Sequence, residues 1–376
     1  MSMRAMPTGV LGDFTQSTRP GEWSDRIGKV MLFGVDIPEQ GLGRMEARRI
    51  AFLGTSRSGL GHLRRIATIA RALRAKVPQA RSVLITNAPP DGLSQEDRSG
   101  FCQTVICGRA DMSGRLATGG FDMAVLDTLQ LPGIGAFRGP AVLILRQTPD
   151  AGLADFGRDD GRPWDRVILP NPAEHWVPRA TGQFAHSIEA AGWVVRPTGV
   201  RQPDDSSAGI VVATGGGGNA DTRGRLYPLL DRVIGEARQR ASHPLRVRQA
   251  LGPRAGAAAL EQADEIFDPG ARLNDVFRRA DLVISTAGYN SVLELASTDT
   301  PALLASIPRS LDDQAERVRL WGPKLGCALD PADPAKASAW LAAMADRPAR
   351  RAPVDLGPDG AERAAELLLE VLCPVS

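Results

Sequence analysis

A chain of 376 residues is long enough for two domains, each with its own core. Its 45 Lys and Arg nearly balance 43 Asp and Glu, giving a formal net charge of +2, and no basic stripe interleaves with aromatics, so nothing points to nucleic acid. Four cysteines, at 102, 107, 327 and 373, lack both metal-ligand spacing and disulfide-framework density, as expected of a protein of the reducing cytoplasm. No apolar run approaches a transmembrane length and the first residues lack a signal-peptide core, which leaves only peripheral membrane contact open.

Residues 1–47 are rich in Gly, Pro, Ser and charge and read as a flexible extension, with one apolar island at Val30–Val35 and an alternative start at Met45. A first domain over 48–200 opens with the strand Arg49–Gly54. This runs into a glycine loop containing Ser58, Gly59 and Gly61, after which Ile66, Ile69, Ala70 and Leu73 recur at helical spacing. Strand-like runs follow at Ser82–Thr86, Thr104–Cys107, Met123–Leu126, Val142–Leu145 and Val167–Leu169. The chain leaves this domain over Gly192–Pro197, and the polar run Gln202–Ser207 reads as a linker.

A second domain over 201–360 restarts with Gly209–Thr214 and the glycines Gly215, Gly216, Gly217 and Gly218. Leu226, Leu229, Leu230, Val233 and Ile234 then mark a helix. A strand is expected at Leu245–Gln249, a helix around Asn274–Arg279, a buried strand at Leu282–Ile284 and a short helix at Tyr289–Ala296. A last helix, in 361–376, carries Ala364, Leu367, Leu368 and Val371 on one face. Alternating strands and helices predict parallel sheets, and two similar glycine-rich strand–loop–helix units predict two Rossmann-like domains facing across a cleft.

A helix that starts just beyond a strand's carboxyl end points free amides into the crevice there, where α/β proteins hold phosphates. Asn290 and Ser291 would add side-chain donors at that first turn, and Glu294 a carboxylate able to accept from a ribose. The run Gly288-Tyr289-Asn290-Ser291, then Leu293-Glu294, Pro301 and Asp313-Gln314, resembles the nucleotide-sugar signature of GT-B glycosyltransferases, written Gly-Trp-Asn-Ser-x-Leu-Glu in plant-type UDP-sugar transferases. Over residues 49 to about 372 the chain resembles glycosyltransferase family 28, which includes the peptidoglycan N-acetylglucosaminyltransferase and the galactolipid synthases. The resemblance implies a UDP-sugar as co-substrate with no other cofactor, and a C-terminal helix crossing back to the first domain. It assigns Asp313 and Gln314 to donor sugar hydroxyls; the interval from Glu294 is longer here, so Asp312 is an equal candidate. Thr286 stands where the plant-type signature has His, and the loop Phe267–Leu273 is the candidate reader of uracil.

Sugar transfer from a nucleoside diphosphate needs stabilisation of the leaving diphosphate, a grip on the sugar and a base for the acceptor. Gly215–Gly218 suit the first task, because glycines let backbone amides approach phosphate, although a glycine run also reads as a plain turn. Of four histidines, at 62, 175, 186 and 243, His62 ends the first glycine loop at a strand's carboxyl side, where it reads as a base or as a helix cap. Asp127 is its partner or a simple turn residue, and Glu174 with His175 is the second choice. The chain has no Asp-x-Asp for a divalent metal, nor the spaced glutamate pair of retaining GT-B enzymes, whose earlier position is Thr286. The expectation is an inverting, metal-independent transferase. A nucleotide-sugar hydrolase, a non-hydrolysing epimerase and a nucleotide-binding protein without turnover remain alternatives. The acceptor is left open, with Pro89–Gly100 and Asp150–Arg162 as its candidate loops, and the oligomeric state is not readable.

Overall fold

Short apolar runs punctuated by glycine and polar turns form thirteen strands among the described residues, all paired in parallel. The computed structural model describes residues 48–56, 59–179, 184–196, 198–215, 222–252, 259–308 and 312–373. The extension with its island Val30–Val35, together with Ser58 and Gly216–Gly218, lies outside them.

The first sheet contains β1 (Arg49–Gly54), β2 (Arg81–Thr86), β3 (Gln103–Ile106), β4 (Met123–Asp127), β5 (Ala141–Ile144), β6 (Arg166–Leu169) and β7 (Ile188–Ala190), in the order β3-β2-β1-β4-β5-β6-β7. The second contains β8 (Ile210–Ala213), β9 (Val247–Ala250), β10 (Glu265–Phe267), β11 (Leu282–Thr286), β12 (Ala302–Ala305) and β13 (Gly326–Ala328), in the order β10-β9-β8-β11-β12-β13. Each order reverses beside its first strand, between β1 and β4 and between β8 and β11. In open α/β sheets such a reversal opens a crevice at the strands' carboxyl ends.

Because both faces of each sheet are covered, the central strands are buried throughout and read as continuous apolar runs; all five residues of β4 are buried. On one face of the first sheet Ile50, Phe52, Leu84 and Val125 pack against Leu63, Ile66 and Leu73 of α1 (Gly61–Lys76). The opposite face, with Ala51, Leu53 and Leu126, packs against Met112 and Leu116 of α3 (Met112–Thr118), which follows the one-turn α2 (Gln95–Arg98). In the second sheet α4 (Tyr227–Arg240), entered through a π-helical turn at Thr222–Leu226, and α8 (Pro334–Asp346) cover one face. The other face holds α5 (Leu273–Arg279), α6 (Tyr289–Ala296) and α7 (Gln314–Leu325).

The last helix, α9 (Gly360–Leu372), returns to the first sheet and buries Ala364, Leu367 and Leu368 against it. Its entry depends on a close backbone approach: a Cβ at Gly360 would lie 2.5 Å from the carbonyl oxygen of Gly192, a separation that real side chains do not tolerate. Lys76–Glu366 at 3.0 Å and Arg166–Glu370 at 2.7 Å then tie the helix down. The run Gln202–Ser207 has no regular structure but is fastened to the second domain through the Asp205–Arg278 ion pair.

Strands β7, β10, β12 and β13 and helices α2, α3, α7 and α8 are absent from the sequence reading. The strands, of three or four residues, show too little periodicity to separate them from loops, and α7 carries Gly322 and Pro323 inside it, which read as a break.

Candidate active site

The first wall is built from the loops after β1, β4 and β5. After β1, the backbone N–H of Ser56 donates to Asn87 Oδ1 at 2.8 Å and Ser56 Oγ donates to the Gly59 carbonyl at 2.8 Å, shaping the turn that delivers Gly61 and His62 to the start of α1. The N-cap position is Leu60, with no side-chain cap among the described residues, and His62 lies inside the helix, so His62 does not serve as its cap. Its side chain is 32% exposed, and Nδ1 lies 3.6 Å from Asp127 Oδ2 and 3.4 Å from Arg65 Nη2.

Asp127 ends β4 and is 1% exposed. Its tightest partner is Arg65, one turn beyond His62, which donates through Nε at 3.1 and 3.2 Å and through Nη2 at 2.5 Å. Burial alone would push the Asp127 carboxyl up; the Arg65 guanidinium, and after it His62, outweigh that and hold it below the usual carboxylate range. The next residue, Thr128, takes φ 45, a strained conformation for a β-branched side chain. Its hydroxyl has one proton to donate and lies within reach of two acceptors, Asp127 Oδ1 at 3.2 Å and the Ile144 carbonyl at 3.1 Å, at the adjoining ends of β4 and β5.

The second wall is the loop from β11 into α6. Thr286 donates from Oγ1 to the Thr214 carbonyl at 2.9 Å, and Gly215, at φ +62, stands beside it, so the glycine loop and the signature loop begin side by side. Gly288 occupies the N-cap of α6 without a side-chain cap, and Ser291 is partly buried in its first turn. Tyr289 is buried, donates to the Pro170 carbonyl of the first domain and lies under the Arg65 guanidinium, 4.9 Å from its ring centre. Asn290 Nδ2 donates to the Gly61 carbonyl at 2.8 Å. Thus α6 touches the loop that carries His62.

Glu294 is 3% exposed, and its nearest charge is Arg64 of the first domain, at 3.8 Å. Burial pushes its carboxyl above the usual range, and Arg64 and then Arg196 offset only part of that.

The remaining donor candidates divide. Asp313 is the N-cap of α7 and accepts from the Glu316 N–H at 3.0 Å. Gln314 is buried; its Oε1 accepts from the Ile307 N–H at 3.2 Å and its Nε2 donates to Asp312 Oδ2 at 3.1 Å. Asp312 alone reaches across the cleft, to Arg146, while also holding Arg317. Burial would raise its carboxyl, but Arg146 and then Arg317 hold it below the usual range. In the second-choice pair Glu174 is exposed, whereas His175 packs on Trp193 at 4.6 Å between ring centres. Burial, reinforced by Arg317, lowers its pKa. Among the described residues no group of three or more His, Cys, Asp or Glu is placed to hold a metal ion, and no helix is long and apolar enough to cross a membrane.

Sequence reasoning missed Arg64, Arg65, Arg146 and Arg317. One signal existed for Arg65: it lies four residues before Ile69, on the buried side of a helix that is otherwise apolar there. A charge in that position requires a buried counter-ion.

Two Rossmann-type parallel sheets facing across a cleft, with the last helix returned to the first, define the GT-B class. No family model matches the chain. Over 141 residues it is 28% identical to the UDP-N-acetylglucosamine–N-acetylmuramyl-(pentapeptide) pyrophosphoryl-undecaprenol N-acetylglucosamine transferase of Aromatoleum aromaticum, a stretch covering 35% of this chain and 40% of that one. The match therefore spans well under half of the relative's length. Among solved structures, the fold is similar to that of MnaA from S. aureus, solved with UDP, at a TM-score of 0.52 and 12% identity, covering 86% of this chain and 95% of that one. It is also similar to the spinosyn rhamnosyltransferase SpnG, at a TM-score of 0.50 and 15% identity, covering 86% and 96%. These likenesses establish the fold, and the sequence match lies with a transferase of the kind that family 28 includes.

Proposed function

We propose that this protein is an inverting, metal-independent glycosyltransferase that moves a hexosyl or N-acetylhexosaminyl group from a UDP-sugar to a hydroxyl or other nucleophilic acceptor. The observation that carries this reading is the 2.8 Å hydrogen bond from Asn290 to the Gly61 carbonyl, which sets the signature helix of one domain one residue from the histidine of the other. In the reaction, His62 removes the acceptor proton as the new glycosidic bond forms at the anomeric carbon. The bond from that carbon to the diphosphate breaks on the opposite face, and UDP leaves with the electron pair. Amides at Gly215 and at the start of α6, with the side chains of Asn290 and Ser291, take up the developing charge. Glu294 accepts from the ribose once Arg64 releases it, and residues at the start of α7 hold the sugar.

Two partners compete for the imidazole. A base needs the tautomer with Nδ1–H directed at Asp127 and the other ring nitrogen free, whereas donation from Arg65 Nη2 to Nδ1 selects the opposite one. Substrate binding must therefore favour the Asp127 contact.

The test is incubation of the purified protein with a panel of UDP-sugars, with and without cell extract, and product analysis by mass spectrometry. Sugar transfer to an extract component, lost in His62→Gln, supports the reading. UDP release with water as the sole acceptor identifies a hydrolase, and epimerised sugar without a second substrate an epimerase. Tight UDP binding without turnover identifies a binding protein.

A further inference from the structure

Arg146 follows β5 at the edge of the first domain's crevice, its backbone N–H directed at Thr128 Oγ1 at 3.4 Å beside Asp127. Its side chain crosses the cleft to Asp312 Oδ1, the same oxygen that accepts from Arg317 Nη2. One carboxylate oxygen therefore holds two guanidiniums, one from each domain. The other oxygen is taken by Gln314, and Arg317 Nε is committed to the Ala287 carbonyl at 2.8 Å. Among the described residues neither Arg146 Nε nor Arg317 Nη1 has a partner, although both atoms are buried. The nearest further cation, Arg65, is already matched by Asp127, so three guanidiniums face two carboxylates. One positive charge and two buried nitrogens, carrying three N–H bonds between them, are left unmet. Buried charged donors are costly to leave bare, and the planar guanidinium fork fits oxyanions best.

We propose that Arg146 and Arg317 form a two-armed oxyanion clasp that closes on an anionic group of the donor, with Asp312 holding the arms in register. This deepens the reading of the cleft as a UDP-sugar site and rests on it. Two groups of such a donor carry the chemistry: the diphosphate, or the carboxylate of a hexuronic acid sugar. In either case Arg146 acts from the acceptor side of the cleft, so the clasp completes itself only when the domains are together.

The test compares wild type with Arg146→Met and Arg146→Lys. Thermal shift with inorganic pyrophosphate and with free glucuronate, at chloride-matched ionic strength, reads the clasp without uridine. Calorimetry with UDP, UDP-glucose and UDP-glucuronate reads the donor. In Arg146→Met we expect the stabilisation by one of the two simple anions to disappear, with Arg146→Lys intermediate because it keeps the charge and loses the fork. A weakening of UDP itself by about tenfold or more, with the ratio of the two UDP-sugars unchanged, assigns the diphosphate. Unchanged UDP affinity with loss of an about tenfold preference for UDP-glucuronate assigns the carboxylate. If no uridine compound binds wild type but an Arg146-dependent anion shift is present, the clasp stands and the donor reading falls. The clasp is overturned if neither anion stabilises wild type, or if the folded variants bind every probe as wild type does. Should Arg146→Met not fold, Arg146→Lys with wild-type binding also overturns it.

Discussion

Asp127 and Glu294 are both buried carboxylates, both lie beside an arginine of α1, and they differ in the direction of their pKa shifts. Asp127 accepts a forked set of charge-assisted hydrogen bonds from Arg65 within its own domain and is held ionised. Among the described residues Glu294 has one ion pair, at 3.8 Å with Arg64 of the opposite domain, and burial outweighs it and the more remote Arg196. A pair near 4 Å gains roughly 4 kcal/mol at an effective dielectric of 20, while removing the ions from water costs several kcal/mol each, so one loose contact does not offset desolvation and a fork does. Burial alone does not determine the charge of a carboxylate; the geometry of its partner does. Asp127 is thereby charge-matched by Arg65 while its Oδ2 still faces His62, whereas Glu294 has no such fork to hold it ionised.

The comparison is broken most directly at Asp127. Asp127→Ala leaves Arg65 buried and unpaired and should cost about 3–5 kcal/mol of stability, read by urea unfolding. A loss under about 1 kcal/mol would show that Arg65 finds another acceptor and that the pair is not what holds this wall.

Replacing the neighbour that Asp127 contacts more loosely should separate catalysis from scaffold. His62→Gln is expected to lower turnover by at least about a hundredfold, about 2.7 kcal/mol of barrier, with UDP affinity retained and stability within about 0.5 kcal/mol. Wild-type turnover in the folded variant would end the catalytic assignment.

Glu294→Gln sharpens the contrast through pH. For Glu294 the folded pKa lies above the unfolded value, so its ionisation lowers stability progressively as pH rises from about 4.3, the unfolded value, through the folded one. The variant should therefore be at least as stable as wild type at neutral pH, with the difference vanishing below that window. Asp127 has the opposite sign: its contribution is present above about 3.9 and is lost as pH falls through its lowered folded pKa. The same Glu294→Gln protein should bind UDP about 1–3 kcal/mol more weakly if the carboxylate accepts from ribose. An unchanged calorimetric dissociation constant removes that role.

The smallest expected effect concerns metal. Chelator should leave turnover within about twofold, roughly 0.4 kcal/mol. An order-of-magnitude loss in EDTA, restored by magnesium or manganese, would mean that a cation shares the diphosphate with the backbone amides.

Much of the architecture was legible because it is written in near neighbours. Arg49–Gly54 and Tyr289–Ala296 coincide with β1 and α6, since a buried parallel strand is a continuous apolar run and a helix start follows a glycine turn. Less of the site could be read. His62, Asp127, Asn290 and Glu294 were visible as residue types at the ends of elements, and the structure brings all four to the same cleft. Their partners were not visible, because an arginine in a sequence is most often a solvated charge, and nothing local distinguishes Arg146 or Arg317 from the others.

By itself the sequence determined the alternation of strands and helices, the two glycine loops and the signature that follows Gly288, since these depend on side chains a few positions apart. Only the tertiary structure decided that Asp127 stays charged against Arg65, that Glu294 waits behind Arg64, and that Arg146 meets Asp312 across 166 positions of chain. Electrostatic energy depends on separation in space and on exclusion of water, and neither is fixed until the first domain has folded around Asp127 and the two domains have met at Glu294 and Arg146.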